Sequence, residues 1–226
     1  MSERVLIIAS HPDDEILGMA GTIAYHKARE DSVSIVFLGN GVGARTEHYP
    51  NEAQNRLDCA LRAAEKLNAK VVSCLTFPDN QMDTVPLLEI VRSIETVKLE
   101  TNPTLVYTHH GGDLNIDHRI CAQAVLTAFR PQPGESCSEI RAFEINSATE
   151  WSVPAVLPPF LPNLFVDVTQ YRQLIIESLG CYSEEMRPYP HSRSIEMVLS
   201  QRAHRGGQVG CEMAEAFMSV RRILRL

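Results

Sequence analysis

Two widely separated stretches concentrate the side chains that do chemistry. His11-Pro12-Asp13-Asp14-Glu15 sets one imidazole beside three carboxylates, and His109-His110-Gly111-Gly112-Asp113-Leu114-Asn115-Ile116-Asp117-His118-Arg119 gathers three more imidazoles with two carboxylates. His11 and Asp14 offer an imidazole and a carboxylate from one turn, and His118 offers a second imidazole from a facing loop. Two His and one carboxylate, with a position left open for water, is a recurring catalytic zinc ligand set. Asp13, next to a ligand without being one, is then placed to act as a base. Zinc lowers the pKa of its water toward ~7, so a carboxylate takes the proton at neutral pH. That is the chemistry of metal-assisted amide or ester hydrolysis. Each stretch alone also has a plainer explanation, with Asp13, Asp14 or Asp117 capping a helix N-terminus.

For the stretches to meet, the chain between them must place both on one rim. Short aliphatic and β-branched runs at 5–10, 33–39, 71–77 and 104–109 read as buried parallel strands. Helical patterns at 15–29, 51–67, 85–100 and 117–129 alternate with them. This order predicts an α/β fold, an open and mostly parallel sheet with helices on both faces. In such a sheet ligands bind beyond the carboxyl ends of the strands, where both polar stretches fall. Further on, 140–145 and 164–168 read as strands, with four prolines between 154 and 162 that exclude a helix there. Helices are expected from 169 to 179 and from 192 to 205. The prediction is a single domain, 1–226, with a C-terminal elaboration.

The net charge of −7 argues against general nucleic-acid binding, which needs a cationic surface. No apolar run approaches the ~20 residues of a membrane span, and Met1-Ser2-Glu3-Arg4 lacks the layout of a signal peptide. The expectation is a soluble, cytoplasmic protein. Six scattered cysteines contain no C-x-x-C pair, so a metal would be held by His and carboxylate.

At His11-Pro12-Asp13-Asp14-Glu15 and Asp117-His118 the sequence resembles the PIG-L (LmbE-like) family of zinc-dependent sugar de-N-acetylases. Pro78-Asp79-Asn80 and Ala214-Glu215-Ala216-Phe217 look like its bacterial branch. The resemblance implies a Rossmann-like fold, His11, Asp14 and His118 as zinc ligands, and Asp13 as the general base. It also implies a small N-acetylated amino sugar as substrate. Several members carry a His three residues before the last ligand, where this chain has Asn115. Asparagine donates a hydrogen bond to an oxyanion but supplies no proton. Proton delivery then falls to Asp13 or to a nearby His, with His110 and His191 as the candidates. Ordering a turn is the competing role for His110, and opening a helix the competing role for His191.

On the substrate side, Arg45, Asp79, Asn80 and His191 are the candidate contacts, with solvated loops and an ordinary Asp-Asn turn as the alternatives. Arg193 reads as a surface position with a minor claim on a phosphate. Glu212 and Glu215 read as structural, with a minor claim for Glu215 on ordering the site. Trp151 and the prolines after it form a candidate apolar wall, or a subunit contact in a homo-oligomer. The loop after the second strand lacks the G-x-G-x-x-G spacing of a dinucleotide site. Two alternatives stand beside the deacetylase: a zinc amidase acting on another N-acyl substrate, and a non-catalytic nucleotide-binding module. His and carboxylate ligands also suit other divalent ions such as Fe2+.

Overall fold

The computed structural model describes residues 2–44 and 51–224. Among them, one seven-stranded sheet runs in the order β3-β2-β1-β4-β5-β7-β6. Its strands are β1 (Arg4–Ala9), β2 (Ser32–Gly39), β3 (Lys70–Phe77), β4 (Leu105–His109), β5 (Glu139–Phe143), β6 (Leu164–Asp167) and β7 (Ala214–Arg222). The first five in this spatial order are parallel, whereas β7 runs antiparallel to both β5 and β6. The helices are α1 (Asp14–Ala28), α2 (Glu52–Lys66), α3 (Leu87–Thr101), α4 (Ile116–Ala128), α5 (Arg172–Gly180) and α6 (Ile195–Gly207). None is long and apolar enough to cross a membrane.

The period-two alternation of a strand explains why the apolar runs had to be continuous. In β1, Val5, Ile7 and Ala9 face a core shared with α1, α2, α5 and α6, whereas Leu6 and Ile8 face a second core under α3 and α4. β2 divides the same way, Val33, Ile35 and Phe37 against Val36 and Leu38. Both strands are thus buried on both faces, as a doubly covered sheet requires.

Strand order reverses between β1 and β4, which pair in register from Val5 with Leu105 to Ile7 with Tyr107. At this switch the loops leaving two neighbouring strands diverge to opposite faces and open a crevice. Both polar stretches leave the carboxyl ends of these two strands. β7 is the element the sequence did not announce. Glu215 interrupts its apolar start, Arg221 and Arg222 end it, and its pairing partners on either side lie far away in the chain.

Candidate metal centre and adjoining cleft

The turn between β1 and α1 is built by its own side chains. The Asp14 carboxylate accepts the His11 backbone N–H at 2.8 Å, and Glu15 accepts that of Asp13 at 3.0 Å. Asp13 stands at the N-cap position but makes no capping bond, and its backbone sits at φ 126°. That conformation costs a non-glycine residue about 1–3 kcal/mol and persists only where the surroundings impose it. Its effect is to turn the Asp13 side chain away from the helix end and into the crevice. Gly41, after β2, adopts φ +68° and passes so near that a Cβ would lie 2.9 Å from the His11 Cβ.

One ligand atom from each of His11, Asp14 and His118 lies within 4.8 Å of the others, and all three side chains are buried. His11 Nδ1 is 3.6 Å from Asp14 Oδ2, and His118 Nε2 is 3.4 Å from Asp14 Oδ1. Asp14 Oδ1 and His118 Nε2 have no hydrogen-bond partner among the described residues. Buried polar atoms left unpaired are costly and call for a missing partner. Two nitrogens and an oxygen converging from three side chains match the donor set of a divalent cation.

Carboxylates behind the cluster fix which nitrogens face inward. His11 Nε2 lies 2.9 Å from Asp117 Oδ2 and 3.2 Å from Asp79 Oδ1, so its Nδ1 keeps the free lone pair. His118 Nδ1 lies at ion-pair distance, 3.2 Å, from Asp113 Oδ1 without hydrogen-bond geometry, and its Nε2 faces Asp14. Such outer carboxylates orient ligating imidazoles and raise their basicity. Asp117 is pinned in turn by the backbone N–H groups of Asn80 and Met82, at 2.6 and 3.0 Å. The cap of α4 is Asn115, whose Oδ1 accepts the Asp117 N–H at 2.8 Å.

The field follows from this geometry. Burial lowers the affinity of His118 for a proton, but Asp14 and Asp113 outweigh it and carry the pKa up to about 9. Burial would raise Asp14, yet His118 and His109 pull it well below the usual carboxylate range. His109, which the sequence reading left without a role, stacks on His118 with ring centroids 3.9 Å apart. Its Nε2 accepts the Ser10 N–H, and burial, then repulsion from His118, push it down to about 4.

Beside the cluster lies a cleft of about 260 Å³, lined by His11, Asp13, Asp79, Asn80, Asn115 and Arg56 with neighbouring groups. Two guanidinium groups meet on one oxygen of Asp13. Arg56 Nη2 is 2.9 Å and Arg193 Nη1 3.0 Å from Asp13 Oδ2. Arg56 also pairs with Glu185. The sequence reading missed Arg56 and Glu185 and put Arg193 on the surface. Arg56 had a signal, since it continues the buried stripe Ala60, Ala63 and Ala64 of α2 at helical spacing. Arg193 and Glu185 arrive from the far end of the chain and left none.

The other candidates are placed as follows. Asp79 Oδ2 accepts the Ala44 N–H at 3.0 Å and so ties the loop after β2 to the cluster. Asn80 reaches the cleft from a left-handed turn, φ 51°. His110 is not among the cleft-lining residues; its Nε2 lies 2.8 Å from the Pro158 carbonyl oxygen and its ring packs edge-on to Phe160. His191 likewise stays outside the lining, accepting the Arg193 N–H at 3.0 Å and packing against Trp151. Arg45 lies outside the described residues.

The chain matches the family model PIG-L, described as GlcNAc-PI de-N-acetylase, over residues 6–129. It is 26% identical over 208 residues to the probable N-acetyl-alpha-D-glucosaminyl L-malate deacetylase 2 of Bacillus cereus, spanning 85% of this chain and 90% of that protein. Among solved structures it is similar to the N,N'-diacetylchitobiose deacetylase of Pyrococcus horikoshii, with a TM-score of 0.75 and 20% identity over 95% of this chain and 82% of that one. A TM-score of 0.78, again at 20% identity, relates it to the 4-carboxy-2-hydroxymuconate hydratase of Pseudomonas putida over 98% of each chain. The last is named for a hydration, so the shared fold alone does not select the reaction.

Proposed function

The chain belongs to the PIG-L family, and from that premise we propose that it is a zinc-dependent amide hydrolase removing the acetyl group from an N-acetylated amino sugar of the N-acetylglucosamine type. The observation that carries this reading is the pair of buried atoms Asp14 Oδ1 and His118 Nε2, 3.4 Å apart and without a hydrogen bond among the described residues, beside the carboxylate of Asp13. His11, Asp14 and His118 would hold the ion. When bound, it supplies Lewis acidity, which polarises a carbonyl oxygen and acidifies water.

The remaining steps belong to the chain. Asp13 takes a proton from the water that attacks the acetamide carbon. Arg56 and Arg193 hold its Oδ2 and keep the carboxylate aimed at the cleft, while Oδ1 has no ion pair among the described residues. Because Asn115 spends its Oδ1 on the helix cap, its Nδ2–H is the group left to donate to the oxygen that gains negative charge. The C–N bond then breaks, and Asp13 returns its proton to the leaving nitrogen, giving acetate and a free amine. This return is assigned to Asp13 because His110 is engaged with Pro158. Asp79 and Asn80, on the cleft wall, contact sugar hydroxyls.

Metal analysis of protein purified without chelator should find near-stoichiometric zinc rather than iron. Released amine from N-acetylglucosamine conjugates reports turnover. Asp13→Asn should cut kcat by about 10²–10⁴-fold with zinc retained. Normal turnover in that variant, or in metal-free protein, sinks the mechanism. Amine release from N-acyl amino acids but not from sugars would move the substrate.

A further inference from the structure

Helix α1 presents the proposed base, Asp13, at its N-cap and the proposed ligand Asp14 on its first turn, yet it is not a continuous helix. Met19 sits at φ −156° and ψ 29°, outside helical values, five residues into it. In an unbroken helix the Gly21 N–H would bond the Leu17 carbonyl and the Thr22 N–H that of Gly18. Here two buried side chains fill the gap. Arg202 Nη2 donates to the carbonyls of Ile16 and Leu17 at 3.2 and 3.1 Å. Glu215 accepts the N–H groups of Gly21 and Thr22 at 3.0 and 2.6 Å.

The two side chains also bind each other. Arg202 Nε and Nη2 lie 2.9 and 2.8 Å from Glu215 Oε1, and both residues are only 2% exposed. Carbonyl, guanidinium, carboxylate and amide thus form one continuous bridge across the break. The break is closely packed, since a Cβ on Gly21 would lie 2.6 Å from Val168. Arg202 comes from α6 and Glu215 from β7, both beyond residues 6–129 of the family match.

We propose that Arg202 and Glu215 are positioning residues for the reaction. Their bridge replaces the missing rung of α1 and so fixes the angle at which its first turn presents Asp13 and Asp14. The inference rests on the functional reading above for what Asp13 and Asp14 do, and on the hydrogen bonds alone for how they are held. Tyr182 works the same way on the same turn. Its hydroxyl donates to Glu15 at 2.6 Å, and Glu15 holds the Asp13 N–H. The C-terminal third therefore serves as the mount of the first polar stretch.

Two conservative variants of the zinc-loaded chain test this. Arg202→Lys keeps the charge but loses the planar fork that spans two carbonyls and a carboxylate. Glu215→Asp keeps the ion pair but withdraws from the two amides. Each should weaken zinc affinity, read by competition with a chelating dye, by about 10–100-fold. Each should also lower kcat with KM within about twofold, and speed hydrogen exchange at Gly21 and Thr22. Folded variants with a lowered Tm but wild-type zinc affinity and kcat would reduce the bridge to ordinary packing and overturn the proposal. Should both variants fail to fold, exchange in the wild-type chain decides. Gly21 and Thr22 amides as slow as the core of α1 support the bridge, and rapid exchange there defeats it. A wild type that binds zinc but deacetylates nothing refutes the assigned function, while the shift in zinc affinity still stands for the bridge.

Discussion

His118 and His26 are both buried and each faces a carboxylate, yet their surroundings differ in what is left over. At the amino-terminal rim of the sheet, His26 Nδ1 meets Asp31 at 2.7 Å and His26 Nε2 meets the Tyr107 hydroxyl at 2.9 Å. Arg141 donates to the same hydroxyl at 2.7 Å, and the Glu3 N–H donates to Asp31, also at 2.7 Å. Both ring nitrogens of that imidazole have a partner, and burial, against the pull of Asp31, lowers its pKa. At the opposite rim His118 faces two carboxylates, its pKa is driven up to about 9, and ligand-type atoms remain unpartnered. Identical residue types thus build a closed structural network at one end and an open site at the other. The discriminating property is which buried polar atoms find a hydrogen bond within the described residues, not the presence of His and Asp.

Exchanging the two histidines for alanine should separate these roles most strongly. On the proposed mechanism, loss of His118 should remove a ligand, so that zinc no longer binds and turnover falls by roughly 10³-fold or more, as several kcal/mol of Lewis-acid stabilisation disappear. Zinc at a hundred times its Kd adds about 2.7 kcal/mol to the wild type, a rise in Tm of about 5–10 °C. The His118→Ala variant should show no such rise. His26→Ala should do the reverse, costing about 3 kcal/mol because Asp31 is left buried without its partner, with zinc uptake intact. Loss of zinc binding in His26→Ala, or a zinc-dependent Tm in His118→Ala, would break the contrast.

A smaller effect sharpens the open end. Asn115→Asp keeps the oxygen that caps α4 and discards the amide donor, so Tm should stay near the wild-type value while kcat drops by about 10²-fold. An unchanged kcat would leave Asn115 a cap and nothing more.

How much of this was legible depended on range. β1 to β4 and α1 to α4 announced themselves because each strand carries its own uninterrupted apolar run and each helix its own periodic face. His11, Asp14 and His118 were legible because ligand types at strand ends are a local signal, and the topology alone had to bring them together. Arg56 was half visible in the alanine stripe of α2. Glu185, Tyr182 and Arg202 were not visible, and Arg193 and Glu215 were named without their partners, because each reaches α1, its N-cap or Arg56 from the far end of the chain, where local sequence carries no trace of the contact. β7 escaped for the same reason, since a strand inserted between β5 and β6 is specified by its partners more than by its own pattern. His110 and His191 show the converse case. Both sit in polar neighbourhoods of the sequence, yet both spend a ring nitrogen on a loop.

The closed end makes the subtlest prediction, in the pH dependence of stability. Burial holds His26 below its ordinary pKa, so the folded chain resists a proton that the unfolded chain accepts. Above about pH 6.5 neither state binds it and the group costs nothing. As the pH falls below 6.5 the unfolded state takes up the proton first, and stability declines until the folded imidazole titrates as well. The slope from one such group is at most about 1.4 kcal/mol per pH unit. His26→Gln can still donate to Asp31 but has no proton to gain. Urea unfolding of metal-free protein between pH 7 and 5 should therefore show the wild type losing stability more steeply than the variant. Parallel curves would mean that His26 titrates alike in both states, and the network at the amino-terminal rim would then be open to water rather than closed.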